Sequence, residues 1–328
     1  MQVNPRHHPF GTSIFYLLVA AMVLIVHIPG SQALEPGEMS YYAEVTAGYR
    51  AVAAQDPDAK IRNPDYLAIK FLRPNFWAFG FLHKDYVRSK HGIKFFRARG
   101  YYTVNACTKH IDGLLQNFSQ IGLRQVVNIG AGLDSRPYRL GAKMPDVHFF
   151  EIDMPATSHA KQTAVRNVFG RLPENVTYIP VEYRTRHFIN TLKNAGFDES
   201  RETLFVWEGI SQFMDAKIVD TTLRYIAQRT NPKNKLIISY IPAEFVRGDY
   251  GKMDWVRFRE LRARAAGEPW KFGIPYRKTT AFFDSRGFRV ITDLGAKELA
   301  DQYLVGSDGE LDGNPTPYVR IAYAGVSR

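Results

Sequence analysis

Gln125-Val126-Val127-Asn128-Ile129 runs without a break into Gly130-Ala131-Gly132-Leu133-Asp134-Ser135-Arg136. A short apolar run that ends in Gly-x-Gly reads as a buried strand. Its tight turn lets the backbone approach a ligand at the carboxyl edge of a sheet. A dinucleotide fingerprint asks for a third glycine three residues after the second, to pack the next helix and seat a pyrophosphate. Ser135 stands there, so the fingerprint fails. A nucleoside cofactor without a pyrophosphate needs no such seat. Taken alone, the turn also fits an ordinary strand-to-helix connection.

Six further runs of similar texture follow: His148–Ile152, Val176–Pro180, Leu204–Trp207, Leu236–Ile241, Arg289–Thr292 and Val319–Tyr323. Counted from Gln125, the first five start about 23 to 32 residues apart, room for a helix each time. Strands that alternate with helical spacers make βαβ units and a mostly parallel sheet. The spacer before the last run holds Gly306, Gly309, Gly313, Pro315 and Pro317 and reads as loop. The last two strands are therefore expected as an antiparallel pair at the sheet edge. The fold class is α/β, a doubly wound sheet of seven strands. Residues 41–120 read as helical and aromatic, which divides the chain into residues 1–33, a helical N-terminal cover over 34–120 and an α/β domain over 121–328.

The second run strengthens the ligand reading. His148-Phe149-Phe150-Glu151-Ile152-Asp153 puts a carboxylate at a strand end, where it can accept hydrogen bonds from ribose hydroxyls. With Pro155 just beyond, Asp153 also fits a helix N-cap. Glu182 and Tyr183 follow the third run, in place to meet an adenine with a polar group and a ring. Glu208 closes the fourth. Carboxyl ends of neighbouring strands collect around one crevice; for Glu182 and Glu208 a solvated loop charge is the plainer alternative.

With 328 residues, 45% hydrophobic and 23% charged, the chain is long enough for a substantial core and too apolar for a disordered protein. A lone cysteine, Cys107, excludes an intrachain disulfide framework and a cysteine-rich zinc site, and no metal is expected. Cys107 and His110 are spaced to touch on a helix, but no third residue is at hand to orient them as a nucleophilic pair. Forty-three Lys+Arg against 32 Asp+Glu leave a formal charge of +11, which favours acidic partners. Residues 61–109 are strongly basic, with only Asp65 and Asp85 as acids. No nucleic-acid motif accompanies them, so an acidic substrate or an anionic membrane is expected there and nucleic acid is not.

Ile14–Ile28 is an apolar run broken only by His27 and followed by Pro29-Gly30-Ser31-Gln32-Ala33. A full span takes roughly 20 apolar residues, so the shorter run suits a signal peptide, with an uncleaved membrane anchor as the alternative. A buried core helix fits less well, because the stretch is apolar on every side. Arg6 precedes the run while Glu35 and Glu38 follow it, which places the body outside the cytoplasm.

Taken together, Arg99-Gly100-Tyr101-Tyr102, Asn128 to Arg136, Phe150-Glu151-Ile152-Asp153 and Trp207-Glu208-Gly209 resemble the leucine carboxyl methyltransferase family and its bacterial relatives. Pro64-Asp65-Tyr66-Leu67-Ala68 is similar to the family's helical N-terminal region, and the likeness covers roughly residues 45–325. It implies a class I methyltransferase sheet and S-adenosyl-L-methionine as cofactor. By the same resemblance Arg99 pairs with the methionine carboxylate, Gly130 and Gly132 pass beneath that moiety, and Asp153 holds the ribose. Glu182 and Tyr183 stand where the family usually carries Asp-Leu beside the adenine, and Glu208 belongs to the cofactor pocket near the acceptor. The implied reaction is methyl transfer to a carboxylate or hydroxyl oxygen, on a small molecule or a protein C-terminus. No histidine is placed by motif beside the cleft, which favours a carboxylate, and no catalytic base is assigned.

Two other readings stay open: a nicotinamide-dependent oxidoreductase, and a membrane-tethered cofactor-binding protein without turnover. An exported domain also conflicts with a cofactor made in the cytosol. Either residues 1–33 are an anchor that leaves the domain facing inward, or the start is misassigned, or the cofactor reaches another compartment.

Overall fold

A computed structural model describes residues 39–76, 82–96, 98–182, 188–265 and 267–327. Gln125–Ile129 forms β1, buried along its whole length, as a strand covered on both faces must be. It pairs in parallel with β2 (His148–Asp153) on one side and β4 (Thr203–Trp207) on the other. β3 (Val176–Pro180) extends the sheet beyond β2, and β5 (Lys235–Tyr240) extends it beyond β4, both parallel. The expected last pair is present as β6 (Phe288–Leu294) and β7 (Arg320–Val326), antiparallel to each other. The seven-stranded order is β3-β2-β1-β4-β5-β7-β6. β7 is therefore inserted between β5 and β6, antiparallel to both, and of the pair it is β6 that lies at the sheet edge.

One expectation needs correction. The spacer between β6 and β7 is not all loop, because it opens with a helix, Ala296–Tyr303. The Glu298 side chain accepts from the Gly295 N–H at 2.9 Å, satisfying one of the donors a helix start leaves bare. Its Leu299 and Ala300 are buried. The turn-forming residues further along concealed an amphipathic start.

Among the described residues four helices precede β1: α1 (Tyr41–Ala53), α2 (Ala68–Phe71), α3 (Tyr86–Phe95) and α4 (Arg99–Ser119). α4 buries Tyr101, Tyr102, Ala106, Cys107, Ile111, Leu115 and Phe118. Ile111 to Leu115 to Phe118 repeats at four and three residues, the spacing that lines one helical face. That face shares one core cluster with Val126, Leu204, Val206 and Ile321 of the sheet. The opposite face of the sheet builds a second cluster from Val127, Ile129, Phe205 and Trp207 with Ile218, Leu223 and Ile226 of the helix Ala216–Arg229. Among the described residues no helix is long and apolar enough to cross a membrane; residues 14–28 lie outside the described residues.

Candidate active site

Strand order reverses between β1 and β4, and in an open α/β sheet ligands bind at that switch, outside the carboxyl ends of the strands. Gly130 and Gly132 sit there with φ of 73° and 47°, a region that side-chain-bearing residues enter only with strain. Space is close as well. A Cβ on Gly130 would lie 2.5 Å from Ile210 Cδ1, and one on Gly132 would lie 3.3 Å from Ala43 Cβ. α1 and the segment after β4 thus close over the glycine turn.

Asp153 ends β2 and is buried. Its Oδ2 accepts the Gly132 N–H and its Oδ1 accepts the Met154 N–H at 2.7 Å. The helix Pro155–Phe169 has Met154 as its N-cap without a side-chain cap bond, so Asp153 faces the glycine turn instead of capping that helix. Burial pushes its carboxyl up to about 6, with the two backbone N–H groups opposing the rise. Each carboxylate oxygen has a second lone pair for a further donor.

Glu208 follows β4, and its Oε2 receives Arg136 Nη1 at 3.0 Å. It is held by an ion pair and is not a merely solvated charge. Glu182 follows β3, whose end is tied to β2 by Val181 N–H donating to Asp153 O at 2.8 Å; Glu182 is half-buried and acts electrostatically on Asp153. Tyr183 lies outside the described residues. Arg99 is the first residue of α4, with its guanidinium 5.7 Å from the centre of the Trp255 ring. A cation at a helix N-terminus faces the unfavourable end of the dipole, so its place there does not stabilise the helix.

Beneath the turn lies an ionic network that sequence reasoning missed. Arg136 Nε binds Asp112 Oδ1 at 2.7 Å, and its Nη1 binds Asp134 Oδ2 at 2.8 Å. Arg139 Nη1 binds Asp112 Oδ2 at 2.8 Å, and its Nε binds Ser135 Oγ at 2.8 Å. Ser135 in turn donates to Asp65, which pairs with Arg50 at 2.7 Å, and Arg50 Nη2 reaches the Leu133 carbonyl at 2.8 Å. Burial pushes the Asp134 carboxyl up, but Arg136 and Lys161 outweigh it and hold the group well below the usual carboxylate range. The signal was partly visible: Asp134, Ser135, Arg136 and Asp65 all belong to the family-like motifs. Asp112 carried none, since an acid in mid-helix reads as solvated.

Next to it, Glu151 on β2 pairs with Lys161 at 2.5 Å and accepts from Tyr138 at 3.2 Å. Burial pushes Glu151 up to about 7, with Lys161 opposing. Elsewhere Cys107 is buried, which pushes its thiol up, and His110 Nδ1 bonds Tyr303 OH at 2.9 Å; neither is set up as a nucleophile. A cavity of about 310 Å³ lined by Gln125, His148, Thr177 and Arg201 lies at the amino ends of β1 and β2, the wrong edge for the switch-point chemistry.

The profile of the leucine carboxyl methyltransferase family matches residues 43–227. The chain belongs to the leucine carboxyl methyltransferase family. A Mycobacterium tuberculosis relative, named as a candidate S-adenosyl-L-methionine-dependent methyltransferase, is 30% identical over 211 residues, 60% of this chain and 58% of that protein. A Bacillus subtilis relative named likewise is 22% identical over 199 residues, 61% of this chain and 65% of its own length. The chain spans about three fifths of the length of the curated relatives it matches. A solved structure of a candidate methyltransferase from Thermobifida fusca YX superposes with a TM-score of 0.53 at 12% identity, covering 92% of this chain and 100% of that one. At that identity the likeness is one of fold, and it is the fold of a class I methyltransferase.

The residues fit the cofactor this family uses. Two positive-φ glycines and a buried aspartate facing them suit a nucleoside and its amino-acid tail, with Glu182 and Glu208 at the adjoining strand ends.

Proposed function

We propose that the protein is an S-adenosyl-L-methionine-dependent O-methyltransferase acting on a carboxylate or hydroxyl oxygen. The observation that carries this reading is the Asp153 carboxylate bonded to the Gly132 N–H at the switch point of the sheet. There the carboxylate would hold the ribose hydroxyls while the glycine backbone passes under the methionine moiety. Arg99, with its guanidinium free of any carboxylate among the described residues, would take the methionine carboxylate. When bound, the cofactor supplies a sulfonium methyl group that an acceptor oxygen displaces in line, the electron pair of the broken C–S bond staying on sulfur. Closure of α1 and Ile210 over the turn would exclude water and orient the reactants, which is most of what such a displacement asks of a protein.

Two observations support this reading over a nicotinamide-dependent one. Ser135, where the third glycine would be, is fully buried with its hydroxyl committed to Asp65 and Arg139. The first N–H of the following helix, Arg136, donates to Asp134 Oδ1 at 2.8 Å. The chain's own carboxylate thus occupies the helix start that would bind a pyrophosphate. Among the described residues no hydrogen bond joins a histidine to Asp153 or Glu208, which favours an acceptor that needs no general base, an ionised carboxylate.

Calorimetric titration with S-adenosyl-L-methionine, S-adenosylhomocysteine and the nicotinamide dinucleotides tests the reading. The first two are expected to bind and the dinucleotides not to, with Asp153→Ala weakening the binding at least tenfold while the fold is kept. A protein that binds neither methionine nucleoside sinks the proposal.

A further inference from the structure

Every described arginine withdrawn from solvent lies against a carboxylate, with two exceptions. Arg50 pairs with Asp65, Arg136 and Arg139 with Asp112, Arg286 with Asp220 and Arg320 with Asp293. The exceptions are Arg99 and Arg259, which have no carboxylate partner among the described residues. They are neighbours: a Cβ on Gly100, next to Arg99, would lie 3.5 Å from Arg259 Nη2 and 3.4 Å from the Tyr49 ring.

Arg259 is half-buried on the helix Val256–Ala265. Its Nη1 reaches Thr316 Oγ1 and Tyr318 OH, each at 3.3 Å. Those are long bonds to neutral oxygens, and they leave most of the five N–H donors of a guanidinium unspent. A cation drawn out of water without a counter-charge is unfavourable, and a bidentate carboxylate is the partner that best relieves it. The side chains around it are aromatic. Trp255 and Trp270 lie 6.0 and 5.9 Å from the Tyr318 ring, and Tyr42 and Tyr49 act electrostatically on Arg259. Tyr42 also packs 6.0 Å from Phe213, just beyond the segment that roofs Gly130, so this aromatic cluster adjoins the carboxyl end of β4. Trp255 is 39% exposed, so the cluster reaches solvent on one side.

We infer that Arg259 is the specificity-determining residue of the acceptor site and holds a carboxylate borne on a flat apolar body that stacks among Tyr49, Trp255 and Tyr318. The inference rests on the methyltransferase reading, in which Arg99 serves the cofactor and the second unpaired guanidinium is left for the acceptor. It names the acceptor's class by charge and shape: an aromatic acid, discriminated from its neutral amide by the loss of the ion pair.

The test uses the full chain, with benzoate and benzamide as probes, read by quenching of tryptophan fluorescence in the presence of S-adenosylhomocysteine. Wild type is expected to bind benzoate at least tenfold more tightly than benzamide. Arg259→Gln should abolish that preference and Arg259→Lys retain part of it, while both variants bind S-adenosylhomocysteine as wild type does, which also shows that they are folded. Equal binding of the two probes by wild type, no binding of benzoate, or an unchanged preference in Arg259→Gln overturns the inference. Loss of S-adenosylhomocysteine binding in both variants, with their far-ultraviolet dichroism unchanged, assigns Arg259 to the cofactor and overturns it too. Wild-type protein that binds no S-adenosylhomocysteine at all is a different failure, that of the methyltransferase reading itself.

Discussion

Asp153 does two things that pull in opposite directions. Its burial favours the neutral acid, while the proposed ribose contact would use it chiefly as an acceptor. With the folded group raised to about 6 and an ordinary aspartate near 3.9, the folded state keeps a proton that the unfolded chain has released across that window. The group therefore makes the fold less stable as pH rises from about 4 to about 6. Hydroxyl donors from a bound nucleoside favour the ionised form and oppose that loss. Cofactor affinity is accordingly expected to fall as pH drops through about 6, and calorimetry across pH 5 to 8 measures it. Asp153→Asn should bind more weakly and lose that pH dependence; a variant that keeps it would move the titration to another group.

Helices and strands are positioned here by buried charge as much as by apolar packing. Asp112 on α4 holds both Arg136 and Arg139 of the short helix Arg136–Leu140, so the cover and the sheet are fastened directly below the glycine turn. A buried pair is a poor source of net stability, yet removing one partner leaves an uncompensated charge. Asp112→Ala takes a carboxylate from two buried guanidinium groups at once, although Arg136 keeps Asp134 and Glu208, and is expected to cost about 3 kcal/mol, the low end for breaking a buried pair, read from urea denaturation. An exposed pair such as Lys297–Asp301 is screened by solvent and is expected to contribute little, so Asp301→Ala serves as the control. A loss at Asp112 no larger than at Asp301 would show that the network is dispensable.

The cover and the sheet share one core. Tyr101, Ile111, Leu115 and Phe118 of α4 are buried against Val126, Leu204 and Ile321, and each large apolar side chain so buried contributes about 1.5–3 kcal/mol. Four of them supply roughly 6–12 kcal/mol, comparable to the whole net stability of an ordinary domain, about 5–15 kcal/mol. A fragment of residues 121–328 is therefore expected not to fold cooperatively alone, although its composition reads as a complete α/β unit. Binding of a hydrophobic dye and the loss of a sharp thermal transition would report this. A fragment that melts sharply would make the cover an independent addition.

Much of the architecture was legible because local rules governed it. Parallel strands buried on both faces must be short apolar runs, a tight turn needs glycine, and the spacers must hold a helix. β1, buried throughout, matches its apolar run residue for residue, as does the partly exposed edge strand β3, and the place of Asp153 at its strand end was legible too. The loop-like spacer before β7 misled because a two-turn helix preceded its glycines and prolines. What the chain by itself could not determine was charge pairing at a distance. Asp112 meets Arg136 across 24 residues and Arg139 across 27, and Arg259 nears Thr316 across 57. A charged side chain looks the same in sequence whether it is solvated, paired or waiting for a ligand. Only its burial and the presence or absence of a counter-charge separate these cases, and both arise when distant segments are brought together.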